Sequence, residues 1–182
     1  MKKIVIITSS ELRHTFFRIS VSSDKNINTL KSFCETQEGN LNNIVENQIE
    51  NKLRTHHLNL RKKVEKDFFE NYVLNKDDLS NPIFIRKGEI NKESNVNHII
   101  ELNPDIIISF GCSIIKSKLI DHFKNRFINI HLGLSPYYRG SGTNFWPFVN
   151  NELQFVGTTF MYIDKGIDTG QIIHQIRAKI NL

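Results

Sequence analysis

The chain has 182 residues, of which 39% are hydrophobic, 10% aromatic and 24% charged. This composition excludes disordered, collagenous and membrane-spanning classes and suits a single soluble domain over residues 1–182. Twenty-four Lys and Arg against 19 Asp and Glu leave a net charge of +5, compatible with an anionic ligand but modest for a dedicated nucleic-acid binder.

The first apolar run, Ile4-Val5-Ile6-Ile7, is too short for a signal peptide's core and reads as a buried strand over Lys3 to Thr8. Ser9 and Ser10 are candidate helix caps, and Leu12, Phe16 and Ile19 share one helix face. Leu30 to Glu35 reads as a short second strand. From Asn40 to Val73, apolar residues recur at helical intervals among many charges, predicting one long surface helix or two shorter ones, with His56 and His57 solvated. Ile83 to Ile85 is a third strand, and Ser94 to Leu102 a helix stopped by Pro104. Asp105 to Gly111 has the continuous apolar character of a central parallel strand buried on both faces. A helix from Ser113 to Phe123 and a strand from Phe127 to Ile130 follow.

This alternation predicts an α/β fold, a Rossmann-like, mainly parallel sheet flanked by helices, with Ile4–Ile7, Ile106–Ser109 and Phe127–Ile130 adjacent or nearly so. Phe145, Trp146 and Phe148 read as helix core. Gln154 to Ile163 and Gln171 to Ile180 lack an intervening helix and are expected to pair antiparallel at one side. No stretch approaches the ~18 apolar residues of a membrane-spanning helix. Cys34 and Cys112 stand far apart with no CxxC spacing, which gives neither a disulfide framework nor a zinc signature and suits a reducing cytoplasm. The abrupt end at Asn181-Leu182 suggests a longer natural protein.

Ligands of open α/β sheets bind beyond the carboxyl ends of the strands, so residues after Phe110 and Ile130 are placed for function. Asn129 and His131 are separated by one residue at a strand end and so share a face. An amide and an imidazole there can serve as oxyanion donor and proton carrier, although the pair also fits a structural role. The loop Leu132 to Gly142 contains Pro136, Tyr137, Arg139 and three glycines, a composition that suits binding. Asp164-Lys165-Gly166-Ile167-Asp168-Thr169-Gly170 places two carboxylates across a turn whose bland reading is Asx capping. A metal trio of His131, Asp168 and His174 is the weaker alternative, and His14, His98 and His122 have no ligand-spaced partners.

Together, Asn129-Ile130-His131, Leu134-Ser135-Pro136-Tyr137-Tyr138-Arg139-Gly140 and Asp164 to Gly170 resemble the formyltransferase family that uses 10-formyltetrahydrofolate. The resemblance runs from about Pro104 to Ile180. It implies that Asn129 donates to the formyl oxygen and that His131 stabilises the oxyanion and moves protons. Asp168 would hold His131 and relay a proton to the folate nitrogen. It also implies that the pterin lies against Ser109, Phe110, Gly111, Cys112 and Ser113 and against Ile163, Asp164 and Gly166. Pro136, Tyr137, Arg139 and Gly140 would then sit on the acceptor side or shape that loop, and no metal is needed.

Two positions depart from the family pattern: Gly133 stands where Ser is usual, and Ser135 where Leu is usual. The loop after the first strand lacks the glycines with which the purine-biosynthetic branch holds a phosphate, and the methionyl-tRNA branch has an additional C-terminal barrel. The expected acceptor is therefore an amino sugar nucleotide or another small primary amine. The alternatives are methionyl-tRNA, glycinamide ribonucleotide, hydrolysis of the folate, and a non-catalytic folate-binding module. Expected partners are folate and the amine, with nucleic acid only as a charged tRNA and no membrane; a homodimer is compatible.

Overall fold

The computed structural model describes residues 1–36 and 52–179. Seven strands form one sheet in the order β3-β2-β1-β4-β5-β6-β7. They are β1 (Lys2–Ser9), β2 (Ile27–Glu35), β3 (Pro82–Ile85), β4 (Ile106–Phe110), β5 (Phe127–His131), β6 (Gly157–Tyr162) and β7 (Ile172–Arg177). The first five pair in parallel, and β6 and β7 are antiparallel additions at the β5 side. The helices are α1 (Leu12–Ser22), α2 (Lys52–Leu74), α3 (Glu93–Leu102), α4 (Ser117–His122) and the single turn α5 (Trp146–Val149).

Alternation along β1 explains why its apolar run is unbroken. Val5 and Ile7 face a buried cluster with Phe33, Ile107, Val96 and Ile99 of α3, and Leu119 of α4. Ile4 and Ile6, buried as well, point to the opposite face. Full burial of each such side chain contributes about 1.5–3 kcal/mol relative to exposure. On the outside, α2 lies on α1 through the rings of Phe16, Phe69 and Tyr72 and the Arg13–Glu65 ion pair at 2.6 Å. The reversal of strand order falls between β1 and β4, so the crevice above their carboxyl ends is the expected ligand position.

The Rossmann-like sheet, the adjacency of β1, β4 and β5 and the antiparallel tail agree with the sequence pattern. Several details differ. The long helix occupies Lys52–Leu74, and the part of the expected helix before residue 52 lies outside the described residues. Glu11, rather than Ser9 or Ser10, precedes α1 and makes no side-chain cap bond. Strand β4 is fully buried on one face and half-buried on the other. Residues Leu153–Phe155 form a 3-10 turn before β6.

The expected helix from Ser113 is shortened to Ser117–His122. The amide N–H of Ser113 donates to Glu35 Oε2 at 2.6 Å, and that of Lys116 to Asn91 Oδ1 at 2.8 Å. Asn91 Nδ2 in turn donates to the Ile114 carbonyl at 2.9 Å. Side chains from the first half of the chain thus satisfy backbone groups that a helical turn would have paired internally. Among the described residues, no helix is long and apolar enough to cross a membrane.

Candidate active site

A cleft of about 1160 Å³ opens above the carboxyl ends of β1, β4 and β5. Its floor is set by register: Ser109 of β4 pairs with Asn129 of β5, and His131 pairs with Thr159 of β6. Ser109 Oγ donates to Asn129 Oδ1 at 3.0 Å. This bond leaves the Asn129 amide nitrogen as the group presented onward, and it donates to Asp168 Oδ1 at 3.1 Å. Asp168 Oδ2 accepts from the Gly140 amide at 2.9 Å and faces His131 Nδ1 at 3.3 Å. One carboxylate thereby joins an amide, an imidazole and a loop N–H that are dispersed along the chain.

Asp168 holds this position with φ +50°, a left-handed conformation that Asp and Asn tolerate better than other non-glycine residues. His131 is buried, and its Nε2 lies 2.9 Å from the Tyr138 carbonyl. A carbonyl only accepts, so Nε2 carries a hydrogen. Nδ1 faces the Asp168 carboxylate across 3.3 Å.

The loop after β5 is tied to the antiparallel strands. Thr159 Oγ1 donates to the Gly133 carbonyl at 2.6 Å and accepts from the Ser135 amide at 3.0 Å, while Gln175 Nε2 donates to the Ser135 carbonyl at 2.7 Å. Asn144 clasps Gly157 through both its amide atoms. A Cβ added at Gly133 would stand 2.7 Å from Thr143 Cβ and 2.8 Å from His131 Nε2. The serine usual at this place therefore has no room beside His131 as packed here.

Across the cleft, Gly111 adopts φ +66° directly against the His14 ring. His14 is almost wholly buried on Phe110 with neither ring nitrogen hydrogen-bonded. Burial, with the charges of Arg13, Arg18 and Arg61, lowers its pKa to about 3, so the ring is neutral. The Cys112 thiol is pushed up to about 12 by burial and then by the Glu35 carboxylate, which removes it as a nucleophile.

Of the residues singled out from sequence, Ser109, Phe110, Gly111, Cys112, Ser113, Asn129, His131, Gly140, Ile163, Asp164, Gly166 and Asp168 all line this cleft. Pro136, Tyr137 and Arg139 do not line it. Tyr137 stacks on Phe155, ring centroids 4.3 Å apart, outside the cleft. Arg139 is exposed. His174 lies against Phe160, and among the described residues no three His, Cys, Asp or Glu side chains converge on one point.

Phe145, Trp146 and Phe148, expected in a helix core, are exposed at 44%, 48% and 56%. The α5 turn is too short to bury three rings, and Phe145 and Phe148 line the cleft mouth instead. His57, expected in solvent, is exposed, and its ring also meets Phe145 at 5.3 Å and lines the mouth, with Arg61 beside it. Sequence reasoning also passed over Glu35, Asn91, Thr159 and Gln175. A buried-strand pattern ending in Glu35 was the one available signal among them.

A Rossmann-like sheet with an amide, an imidazole and a carboxylate converging beyond β5 defines an α/β protein equipped for acyl chemistry. The formyl transferase family model matches residues 18–181, and the chain belongs to that family. The methionyl-tRNA formyltransferases of Clostridioides difficile and Finegoldia magna are 37% and 30% identical to it, over 48% and 53% of this chain. The matched stretches cover only 28% and 31% of those proteins' own lengths. In fold, the chain superposes over its full length on 84% of the phosphoribosylglycinamide formyltransferase from Streptococcus pneumoniae, with a TM-score of 0.63 at 18% identity.

Proposed function

We propose that this chain is a catalytic domain that transfers the formyl group of 10-formyltetrahydrofolate to a primary amine. The observation that carries the reading is the Asp168 carboxylate, which gathers Asn129, His131 and Gly140 at one point in the cleft. The amine nitrogen bonds to the formyl carbon, and the carbonyl electron pair moves onto oxygen. The second N–H of Asn129 donates to that oxygen, and the His131 ring, held between Asp168 and the Tyr138 carbonyl, lies beside it to stabilise the developing charge. The attacking nitrogen loses a proton to Asp168, directly or through water, and N10 of the folate gains one as the carbon–N10 bond breaks. The products are a formamide and tetrahydrofolate, with charge and protons balanced and no metal required.

The walls after β4 and around Ile163 to Gly166 would take the pterin, leaving the mouth lined by His57, Arg61, Phe145 and Phe148 for the acceptor. Arg61 and the three rings there suit a small amine carrying a ring and an anionic group, as an amino sugar nucleotide does. The identity to methionyl-tRNA formyltransferases over about half of this chain favours methionyl-tRNA as the second reading. The test is tetrahydrofolate release from 10-formyltetrahydrofolate, followed with a panel of amino sugar nucleotides, methionyl-tRNA and glycinamide ribonucleotide. Amine-dependent release with a formylated product supports transfer. Formate release indifferent to amine, or no turnover with any acceptor, sinks it.

A further inference from the structure

Residues Gly111 to Lys116, between β4 and α4, belong to no strand or helix. Gly111 to Ile115 nonetheless form one side of the cleft. Glu35 and Asn91 pin this segment from behind and do not line the cleft themselves. Glu35 ends β2 and is 2% exposed. Its Oε1 accepts from the Gly88 amide at 2.8 Å and its Oε2 from the Ser113 amide at 2.6 Å. Burying a carboxylate is costly unless its oxygens are hydrogen-bonded, and an apolar residue would fill the space without that cost. The carboxylate does what an apolar residue cannot: it holds two loops together by their backbone N–H groups. Asn91 grips the same segment one and three residues later, at Ile114 and Lys116. At its other end the segment turns at Gly111 against His14.

We propose that Glu35 and Asn91 are positioning residues for the folate side of the site, fixing the Gly111–Lys116 wall in the shape the pterin meets. This rests on the reading of that wall as the folate surface. The wall has no secondary structure to keep its shape, and displacing a positioning group by about 1 Å can cost roughly a hundredfold. In Glu35→Gln one oxygen becomes an NH2 that faces a backbone N–H, so one of the two clasps is lost. Asn91→Ala removes both of its bonds from a partly exposed site and tests the same wall with less risk to folding.

The experiment measures tetrahydrofolate affinity by titration, folate KM and kcat with the amine identified above, melting temperature, and hydrogen exchange of peptides spanning 111–116. The expected result for Glu35→Gln is a roughly tenfold rise in folate Kd and KM together. For Asn91→Ala the rise is roughly three- to tenfold. Exchange quickens within 111–116, while kcat at saturating folate and the amine KM stay within about twofold of the parent. Unchanged tetrahydrofolate affinity in Asn91→Ala and in any folded Glu35→Gln overturns the proposal. So does a fall in kcat and melting temperature with folate KM unmoved, which is the mark of a merely structural role. If the parent chain itself binds no tetrahydrofolate, the functional reading fails first and takes this proposal with it.

Discussion

The two walls of the cleft are built by opposite means. On the β5 side, the reactive groups hold one another: Asp168 binds Asn129, faces His131 and accepts from Gly140, and the loop between them hangs on Thr159 and Gln175. Chemistry and scaffold are the same side chains there. On the β4 side, Ser109 to Ile115 face the cleft, and the side chains that hold this segment stand behind it on β2 and the turn after β3. A wall that must carry out proton transfer needs particular functional groups in sight of the substrate. A wall that meets a flat ring needs only a fixed shape, and its supports can be anywhere that reaches.

The comparison breaks most readily at Asp168. Asp168→Asn keeps the left-handed turn, since both residues tolerate it, but removes the charge between Asn129 and His131. Turnover is expected to fall by about 10²–10⁴-fold, with melting temperature and tetrahydrofolate affinity near those of the parent. Near-normal turnover would reduce the whole β5 wall to a turn and its caps.

Gly133→Ser tests how tightly that wall is packed. The new Cβ collides with Thr143 and His131, so stability should drop by about 1–3 kcal/mol, the usual cost of overpacking. Turnover should fall with it as His131 is displaced. A variant as stable and active as the parent would show that the loop readily yields to the residue usual in its family.

On the opposite wall the expected effect is one of pH. His14 is neutral in the folded chain, with its pKa lowered to about 3 from 6.5. Between those values the unfolded chain binds the proton that the folded chain refuses, so stability falls as pH drops below about 6.5 and is unaffected above it. The slope from this residue is at most about 1.4 kcal/mol per pH unit. Chemical denaturation of His14→Gln at several pH values between 4 and 7 should show the parent's slope reduced by close to one proton. An identical slope would mean that His14 is charged or solvated in solution.

The motifs around Asn129, His131 and Asp168 were legible because their chemistry is carried by residue types in a fixed local order. The strand periodicities of β1, β4 and β5 were legible because two-faced burial leaves an unbroken apolar run. Local order says nothing about partners far along the chain. The family resemblance implied that Asp168 reaches His131, but Glu35 and Ser113 are 78 positions apart, and only the folded sheet could show that they meet. The same cause explains the failures. Ser113 to Lys116 has the pattern of a helix start, but Glu35 and Asn91 outcompete the helix for its backbone groups. Phe145, Trp146 and Phe148 have the look of a core, but a four-residue turn at the rim of a cleft has no interior in which to place them. Residue type and period thus determined the strands and the reacting groups, which depend on near neighbours. The tertiary structure alone decided the shape of the Gly111–Lys116 wall and the lining of the mouth, because both depend on hydrogen bonds and ring contacts between segments that only folding brings together.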